Sequence, residues 1–162
     1  MATSLVLLAY DEEGGIERHL EAIRKLRLTD LRIVVVNDGS TDRTAAILER
    51  MRSSLPLEIL SHETNRGVAA AFETGLRYAA TTSHPSDAII TMEADGTSDP
   101  HLLPAMIGLL EAGYDVVCAS RYRPGGGYRG FPLGRWAISV GANTVARWYC
   151  RLPSLTDYTM FY

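Results

Sequence analysis

Short apolar runs alternate with helix-like segments along the first 120 residues. Five runs have the length of a strand and are predominantly apolar: residues 4–9, 31–36, 57–60, 88–90 and 114–119. Between the runs, apolar residues recur every three or four positions, as at Ile16, Leu20 and Ile23, a spacing typical of an amphipathic helix. Strands without polar alternation, separated by helices, predict an α/β fold: a mostly parallel twisted sheet with helices on both faces.

Turn and cap residues mark where the predicted helices begin and end. Residues 37–42 (NDGSTD) precede a helix that ends near Arg52, and Asp99-Pro100 opens a helix that runs to about residue 110. Residues 64–67 open another helix. Its predicted core-facing side chains are Val68, Phe72, Leu76 and Ala79.

The pattern changes after Ser120. Residues 124–127 (PGGG) begin a glycine-rich loop that we interpret as mobile, a helix is predicted over residues 134–150, and a last strand over 156–162. We interpret residues 1–162 as a single domain with two halves, 1–119 and 120–162. Because the chain stops directly after a strand, we expect it to be a C-terminally truncated piece of a longer protein.

Charge is distributed unevenly between the two halves. Residues 1–115 carry a net charge of −8, whereas residues 116–162 carry +5, from six arginines and the single acid Asp157. Such a basic segment, interleaved with aromatic residues, suits a polyanionic ligand or an anionic membrane surface. No run reaches the roughly 18 to 20 apolar residues that span a bilayer. No basic leader precedes the first strand, so we expect a cytoplasmic location.

Acidic and polar residues follow three of the predicted strands. They are Tyr10, Asp11 and Glu12 after the first strand, Asn37, Asp38 and Ser40 after the second, and Glu93 and Asp95 within residues 88–100 (AIITMEADGTSDP). In an open α/β sheet, ligands bind outside the carboxyl ends of the strands. Glu93 and Asp95 lie one residue apart, which places both carboxylates on the same side of an extended segment. With phosphate oxygens, the two could complete the shell of Mg²⁺ or Mn²⁺.

The motifs of several other α/β enzyme classes are absent. The sequence contains no G-x-G-x-x-G after the first strand, no G-x-x-x-x-G-K-[ST] and no G-x-S-x-G, which disfavours nicotinamide enzymes, P-loop NTPases and serine hydrolases. The four histidines are scattered outside the acidic positions, and we interpret them as surface or capping residues. They are His19, His62, His84 and His101.

Six ordered motifs resemble family 2 glycosyltransferases of the GT-A fold, and most of all the branch that acts on dolichyl or polyprenyl phosphate. They are residues 9–12 (AYDE), 36–42 (VNDGSTD), 65–71 (NRGVAAA), 93–95 (EAD), 119–122 (ASRY) and 135–143 (RWAISVGAN). The resemblance implies an inverting transfer from a nucleoside diphosphate sugar (GDP-mannose or a UDP-sugar) to a polyprenyl phosphate. The protein would be a peripheral membrane protein at the cytoplasmic face, or an integral one if transmembrane helices follow Tyr162. No nucleic acid is expected as a partner.

The resemblance also implies roles for individual residues. Nucleotide-sugar contacts are expected at Ala9, Tyr10, Glu12, Asn37, Asp38 and Ala94. Ligands of Mg²⁺ or Mn²⁺ are expected at Glu93, Asp95 and Thr97. Contacts with the acceptor phosphate are expected at Ser120, Arg121 and Arg135. Catalytic roles fall to Asp95, Arg121 and Arg135.

The sequence departs from the family pattern at a few of these positions. Ala9 replaces a proline, Asp11 an asparagine, and Glu93 the first aspartate of the metal motif, while Thr97 stands where glutamine is frequent. Two alternatives therefore stay open: a family 2 transferase that acts on a hydroxyl acceptor, and a non-catalytic protein that binds nucleotide sugars. A hydroxyl acceptor needs a catalytic base. The absence of acids between Val116 and Thr156 argues against that alternative.

Overall fold

The protein is described here from a computed structural model. The structure describes residues 1–96, 98–127, 133–151 and 156–157, with residues 133–137 described by their backbone alone. The chain divides into two compact units, Met1–Tyr114 and Asp115–Tyr162. The strands are β1 (Thr3–Ala9), β2 (Leu31–Asn37), β3 (Leu57–Ser61) and β4 (Ala88–Glu93). The helices are α1 (Ile16–Lys25), α2 (Thr44–Met51), α3 (Val68–Thr82), α4 (Leu103–Glu111) and α5 (Leu133–Cys150).

The four strands form one parallel sheet in the order β3-β2-β1-β4. Consecutive residues of β1, such as Leu5 and Val6, point to opposite faces, and both are fully buried. Both faces of the sheet are therefore covered, which confirms the predicted parallel α/β architecture. Four of the five strands predicted within residues 1–119 occur within three residues of their expected bounds, because continuous apolar runs of this length are stable only when both faces are buried.

Helix α3 covers one face at unusually short range. Its buried residues are Ala71, Gly75 and Ala79, and a Cβ built on Gly75 would overlap Val6 Cγ1. The prediction that Val68 and Leu76 face the core is wrong, because their side chains are 54% and 38% exposed. The helix presents its small residues to the sheet instead, and this lets the two backbones approach closely.

The predicted fifth strand, residues 114–119, does not form. Gly113 ends the turn after α4 with φ +98°, and the residues that follow lie outside any strand. Tyr114 and Val116 are 61% and 69% exposed. Strand-forming residues stabilise a strand only when a neighbouring strand pairs with it and one of its faces is covered. Local sequence cannot provide either condition, and residues 114–119 remain unpaired and largely exposed. The predicted strand at residues 156–162 lies almost entirely outside the described residues.

The predicted start of the fourth helix is confirmed. The Asp99 carboxylate accepts a hydrogen bond from the His101 amide at 3.0 Å, and Pro100 takes the first helical position of a short 3₁₀ turn, Pro100–Leu102, that leads into α4. Within the part of the chain that the structure describes, no helix combines the length and apolar character needed to cross a membrane.

Candidate functional site

An open cleft of about 280 Å³ lies at the carboxyl ends of β1, β2 and β4 in the first unit. Parallel strands deliver their last residues to the same edge of the sheet, which is why residues far apart in sequence meet here. The lining residues are Leu8, Ala9, Tyr10, Glu12, Asp38, Asn65, Gly67, Val68, Ala71, Glu93 and Asp95.

The acidic side of the cleft is formed where β4 ends. Glu93 is the last residue of the strand, and the buried Ala94 continues the pairing because its amide donates to the Leu8 carbonyl at 3.1 Å. Gly96 then turns the chain with φ +79°. The β4 end therefore brings Glu93 and Asp95 to the cleft together, as the alternation of side chains predicted.

Crowded carboxylates give this side a strong negative potential. Burial is the largest cause that raises the pKa of the Glu12 carboxyl above its ordinary value of 4.5, and the charges of Asp95, Asp42 and Glu93 add to it. Such a group is stabilised by a cation placed among its oxygens.

The donor set of the cleft fits a divalent cation shared with a ligand. Among the described residues, no three His, Cys, Asp or Glu side chains are arranged as a complete metal site. Magnesium, however, is commonly held by one or two carboxylates together with substrate phosphates. Glu93 and Asp95 match that arrangement, whereas Thr97, the predicted third ligand, lies outside the described residues.

The opposite wall depends on Asp38, which is only 4% exposed. Its Oδ1 accepts hydrogen bonds from His62 Nδ1 at 2.6 Å and from the Arg66 amide at 2.9 Å, and its Oδ2 accepts one from the Gly67 amide at 2.8 Å. Burial alone would raise the pKa of this carboxyl, but these hydrogen bonds outweigh burial and hold the pKa below its ordinary value of 3.8. Asp38 is therefore an ionised, rigidly held acceptor.

Four of the six predicted nucleotide-sugar residues line the cleft, namely Ala9, Tyr10, Glu12 and Asp38. Tyr10 is 43% exposed, so its ring is available for stacking on a planar group. The side chains of Asn37 and Ala94 are buried and lie outside the lining. Asn37 Oδ1 accepts from the Ser40 amide at 3.1 Å, so this side chain stabilises the turn after β2.

The second unit contains a buried polar network around Arg121. Arg121 Nε and Nη2 donate to the two carboxylate oxygens of Asp157 at 2.8 and 3.0 Å, and the Asp157 side chain is fully buried. The Ser120 hydroxyl shares a 2.7 Å hydrogen bond with Thr156. The one acid among residues 116–162 thus pairs with Arg121.

Arg135 belongs to α5, but its side chain is not among those described. The same helix contributes Ser139 and Asn143 to the network. Ser139 Oγ and Tyr122 Oη lie 2.9 Å apart, and Asn143 Nδ2 donates to the Ser139 carbonyl at 2.9 Å.

Comparison with known proteins identifies the family to which the chain belongs. The family model described as "Glycosyl transferase family 2" matches residues 4–161. The chain belongs to glycosyl transferase family 2. The predicted family and the predicted GT-A fold are therefore confirmed.

Curated relatives within the family share about a third of the sequence. The chain is 30% identical over 158 residues to the dolichol-phosphate mannosyltransferase of Pyrococcus furiosus, covering 97% of this chain and 43% of that protein. It is 33% identical over 117 residues to the polyprenol monophosphomannose synthase of Mycolicibacterium smegmatis, covering 71% of this chain and 43% of that protein. The chain therefore spans less than half the length of these relatives.

A solved structure is similar to this chain over nearly its whole length. Glucosyl-3-phosphoglycerate synthase from Mycobacterium tuberculosis, crystallised with Mn²⁺, uridine diphosphate and glucosyl-3-phosphoglycerate, superposes with a TM-score of 0.69 at 23% identity. The match covers 99% of this chain and 55% of that one. At this identity the likeness establishes the fold alone.

Two histidines that we interpreted as surface or capping residues are buried instead. The His62 side chain contacts Asp38 and is 7% exposed, and His19 is 5% exposed with no hydrogen-bond partner for its Nε2 atom among the described residues. Burial lowers the pKa of His19, and the charge of Asp95 opposes that shift. The spacing of His19 from Ile16 and Ile23 was the available signal, since it lies on the apolar stripe of α1.

The start of α3 is a further part of the cleft that the site prediction lacked. Asn65, Gly67 and Val68 line it, although residues 65–71 were quoted only as a motif. Its N-x-G turn was the available signal. Gly67 has φ +87°, a conformation that favours glycine.

Proposed function

We propose that this chain is the sugar-transfer part of an inverting glycosyltransferase, which moves a sugar from a nucleoside diphosphate sugar to a polyprenyl phosphate. The observation that carries the proposal is the cleft itself. A rigid acceptor and an exposed aromatic ring form one wall, and paired carboxylates form the other. The names of the two curated relatives support the class of acceptor.

The wall formed by β1 and β2 is proposed to bind the nucleoside. The Tyr10 ring is exposed in the cleft and offers a face for the base. Asp38 and Glu12 offer carboxylate oxygens, which accept hydrogen bonds from ribose hydroxyls or from base N–H groups. The structure leaves both GDP-mannose and UDP-sugars as candidate donors.

Glu93 and Asp95 are proposed to hold Mg²⁺ or Mn²⁺ on the diphosphate, with Thr97 as a predicted third ligand. When bound, the cation supplies positive charge for the diphosphate as it leaves. The raised pKa of Glu12 supports this proposal, because it reflects in part the repulsion between neighbouring carboxylates. A cation bound among their oxygens would relieve that repulsion.

The proposed transfer needs positioning more than proton removal. An oxygen of the acceptor phosphate forms a bond to the anomeric carbon while the bond from that carbon to the diphosphate oxygen breaks, and the nucleoside diphosphate leaves with the electron pair. The acceptor oxygen is already anionic, so no side chain has to take a proton from it. Alignment of the two reactants then supplies much of the rate.

The second unit is proposed to provide the acceptor side, through Ser120, Arg121 and Arg135. The net charge of +5 on residues 116–162 suits a phosphate. The only acid of residues 116–162, Asp157, is fully buried in an ion pair with Arg121. An acid in that state is unsuited to serve as a general base, so no residue of the segment favours a hydroxyl acceptor. We further propose that the acceptor is met at the cytoplasmic face of the membrane.

Transfer of labelled sugar from GDP-mannose or a UDP-sugar to a short polyprenyl phosphate, with Mn²⁺ present, tests the proposal. We expect Asp95→Asn to reduce transfer about 100-fold or more, the scale of a lost electrostatic group in an active site. Glu73→Gln is the matched control, because Glu73 is 66% exposed and pairs with Arg77 outside the cleft. Undiminished transfer by Asp95→Asn, or transfer to polyprenol rather than to its phosphate, would contradict the proposal.

A further inference from the structure

His62 lies where β2, β3 and α3 meet, next to Asp38 in the wall of the cleft that is proposed to bind the nucleoside. It follows β3 directly, and its amide donates to the Asn37 carbonyl at the end of β2 at 3.0 Å. Its ring bridges two side chains, with Nδ1 at 2.6 Å from Asp38 Oδ1 and Nε2 at 2.9 Å from the hydroxyl of Thr74 on α3. The side chains of His62 and Asp38 are only 7% and 6% exposed.

The hydrogen bonds of Asp38 leave little acceptor capacity. A carboxylate offers about four acceptor positions. His62 and the Arg66 amide occupy Oδ1, and the Gly67 amide occupies one position on Oδ2. About one acceptor position, on Oδ2, is left for a ligand. The direction of that position depends on the rotation of the carboxylate, which the His62 ring fixes through Oδ1 together with the Arg66 and Gly67 amides.

We infer that His62 is a positioning residue that orients Asp38 so that its remaining acceptor position faces a donor group of the bound nucleoside. This inference rests on the proposed function, since it assumes that the cleft takes a nucleoside diphosphate. His62 itself does not line the cleft, so it acts through Asp38. Because Asp38 only accepts, Nδ1 is the protonated nitrogen of this contact.

The two ring nitrogens of His62 can be separated by substitution. In His62→Asn the amide nitrogen replaces Nδ1 and keeps the donor to Asp38, whereas in His62→Gln the amide reaches the position of Nε2 and the donor to Asp38 is lost. Thr74→Val removes the second contact with little change in shape. His84→Gln is the control, because His84 is exposed and bonded to Ser86 rather than to the cleft.

The readout is the affinity of each variant for UDP, for GDP and for inorganic pyrophosphate, all with Mn²⁺, measured by calorimetry or by competition. We expect His62→Gln to weaken the preferred nucleoside diphosphate about tenfold, the scale of one charge-assisted hydrogen bond, with pyrophosphate affinity unchanged. His62→Asn and Thr74→Val should both stay within about threefold of the wild type, because both variants keep the donor to Asp38 and lose only the contact with Thr74. His84→Gln should match the wild type.

Three outcomes would overturn the inference. His62→Gln could bind the nucleotide as tightly as the wild type, it could lose pyrophosphate affinity to the same degree, or His62→Asn could be as weak as His62→Gln. If His62→Gln does not fold, His62→Asn and Thr74→Val still test the inference, because a nucleotide affinity about tenfold weaker in either variant, with the donor to Asp38 retained, would overturn it. A wild-type chain that binds neither UDP nor GDP would instead contradict the proposed function.

Discussion

At the scale of single residues, the carboxylates of the cleft impose an electrostatic cost on the free protein. Glu12 shows this electrostatic cost most clearly. Its raised pKa means that the ionised form is disfavoured in the folded state, so the cost is absent well below pH 4.5 and complete once the pH exceeds the raised value. Stability due to this residue therefore falls as the pH rises through that window.

We expect Glu12→Gln to raise the melting temperature at pH 7 in EDTA by about 1–3 °C, because the substitution removes the ionised carboxylate. Thermal melts at pH 7 and pH 4 check this, and the difference should be smaller at pH 4, because the cost decreases as the pH falls below the raised pKa of Glu12. Glu13→Gln is the control. Hydrogen bonds from Arg43 hold the pKa of Glu13 below its ordinary value, so its neutralisation should not raise stability. An equal gain at both pH values would contradict the explanation.

The acidic residues of the cleft were predictable from sequence, whereas the residues that hold them were not. Parallel strands bring their carboxyl ends together at one edge of the sheet. The acidic residues at or just after those ends are Glu12, Asp38, Glu93 and Asp95. The contact between His62 and Asp38 spans 24 residues, and it depends on how β3 and α3 pack beside β2. Nothing in the local pattern around a single histidine encodes such a tertiary contact.

At the scale of elements, the close approach of α3 to the sheet depends on Gly75. We expect Gly75→Ala to lower the free energy of unfolding by about 1–3 kcal/mol, because the added methyl group would overlap Val6 in a packed layer. This loss would exceed the gain of up to about 1 kcal/mol in helix propensity.

Gly108→Ala in α4 is the matched comparison, because nothing lies within 4 Å of a Cβ built there. It should raise the free energy of unfolding by about 0.4–1 kcal/mol. Urea denaturation of both variants measures the two effects. A Gly75→Ala variant as stable as Gly108→Ala would show that α3 does not pack against Val6.

Strands were predictable where a run was buried on both sides, and not where it lacked a neighbour. Residues 31–36 and 114–119 look alike in composition, yet only the first run lies between two strands. The face of α3 was mispredicted for a related reason. Large apolar residues normally mark the core face of a helix, but here the sheet selects Ala71, Gly75 and Ala79 because only small residues permit the short distance.

At the scale of the whole molecule, the two units carry net charges of opposite sign. Asp157 is the residue that neutralises Arg121 within the second unit. Removing one partner of a buried ion pair leaves an uncompensated charge and costs about 3–5 kcal/mol. We expect Asp157→Asn to destabilise the second unit by about 3 kcal/mol, and hydrogen exchange should show the loss in α5 while β1 and β2 keep their protection.

Glu21→Gln serves as the control for that variant, because the Glu21–Arg24 pair is exposed and such pairs contribute less than about 1 kcal/mol. Unchanged exchange of α5 in Asp157→Asn would mean that the ion pair does not stabilise the second unit. A uniform loss over both units would mean that they do not unfold separately.

The central claim is that Glu93 and Asp95 bind a nucleoside diphosphate sugar through a divalent cation. Calorimetry of the chain with GDP-mannose and with UDP-sugars, in Mn²⁺ and in EDTA, tests it most directly. We predict binding in Mn²⁺ that weakens about tenfold or more in EDTA, loss of this metal dependence in Asp95→Asn and Glu93→Gln, and its retention in Glu93→Asp and Glu73→Gln. Binding that is equally tight in EDTA, or unaffected by Asp95→Asn, would contradict the account.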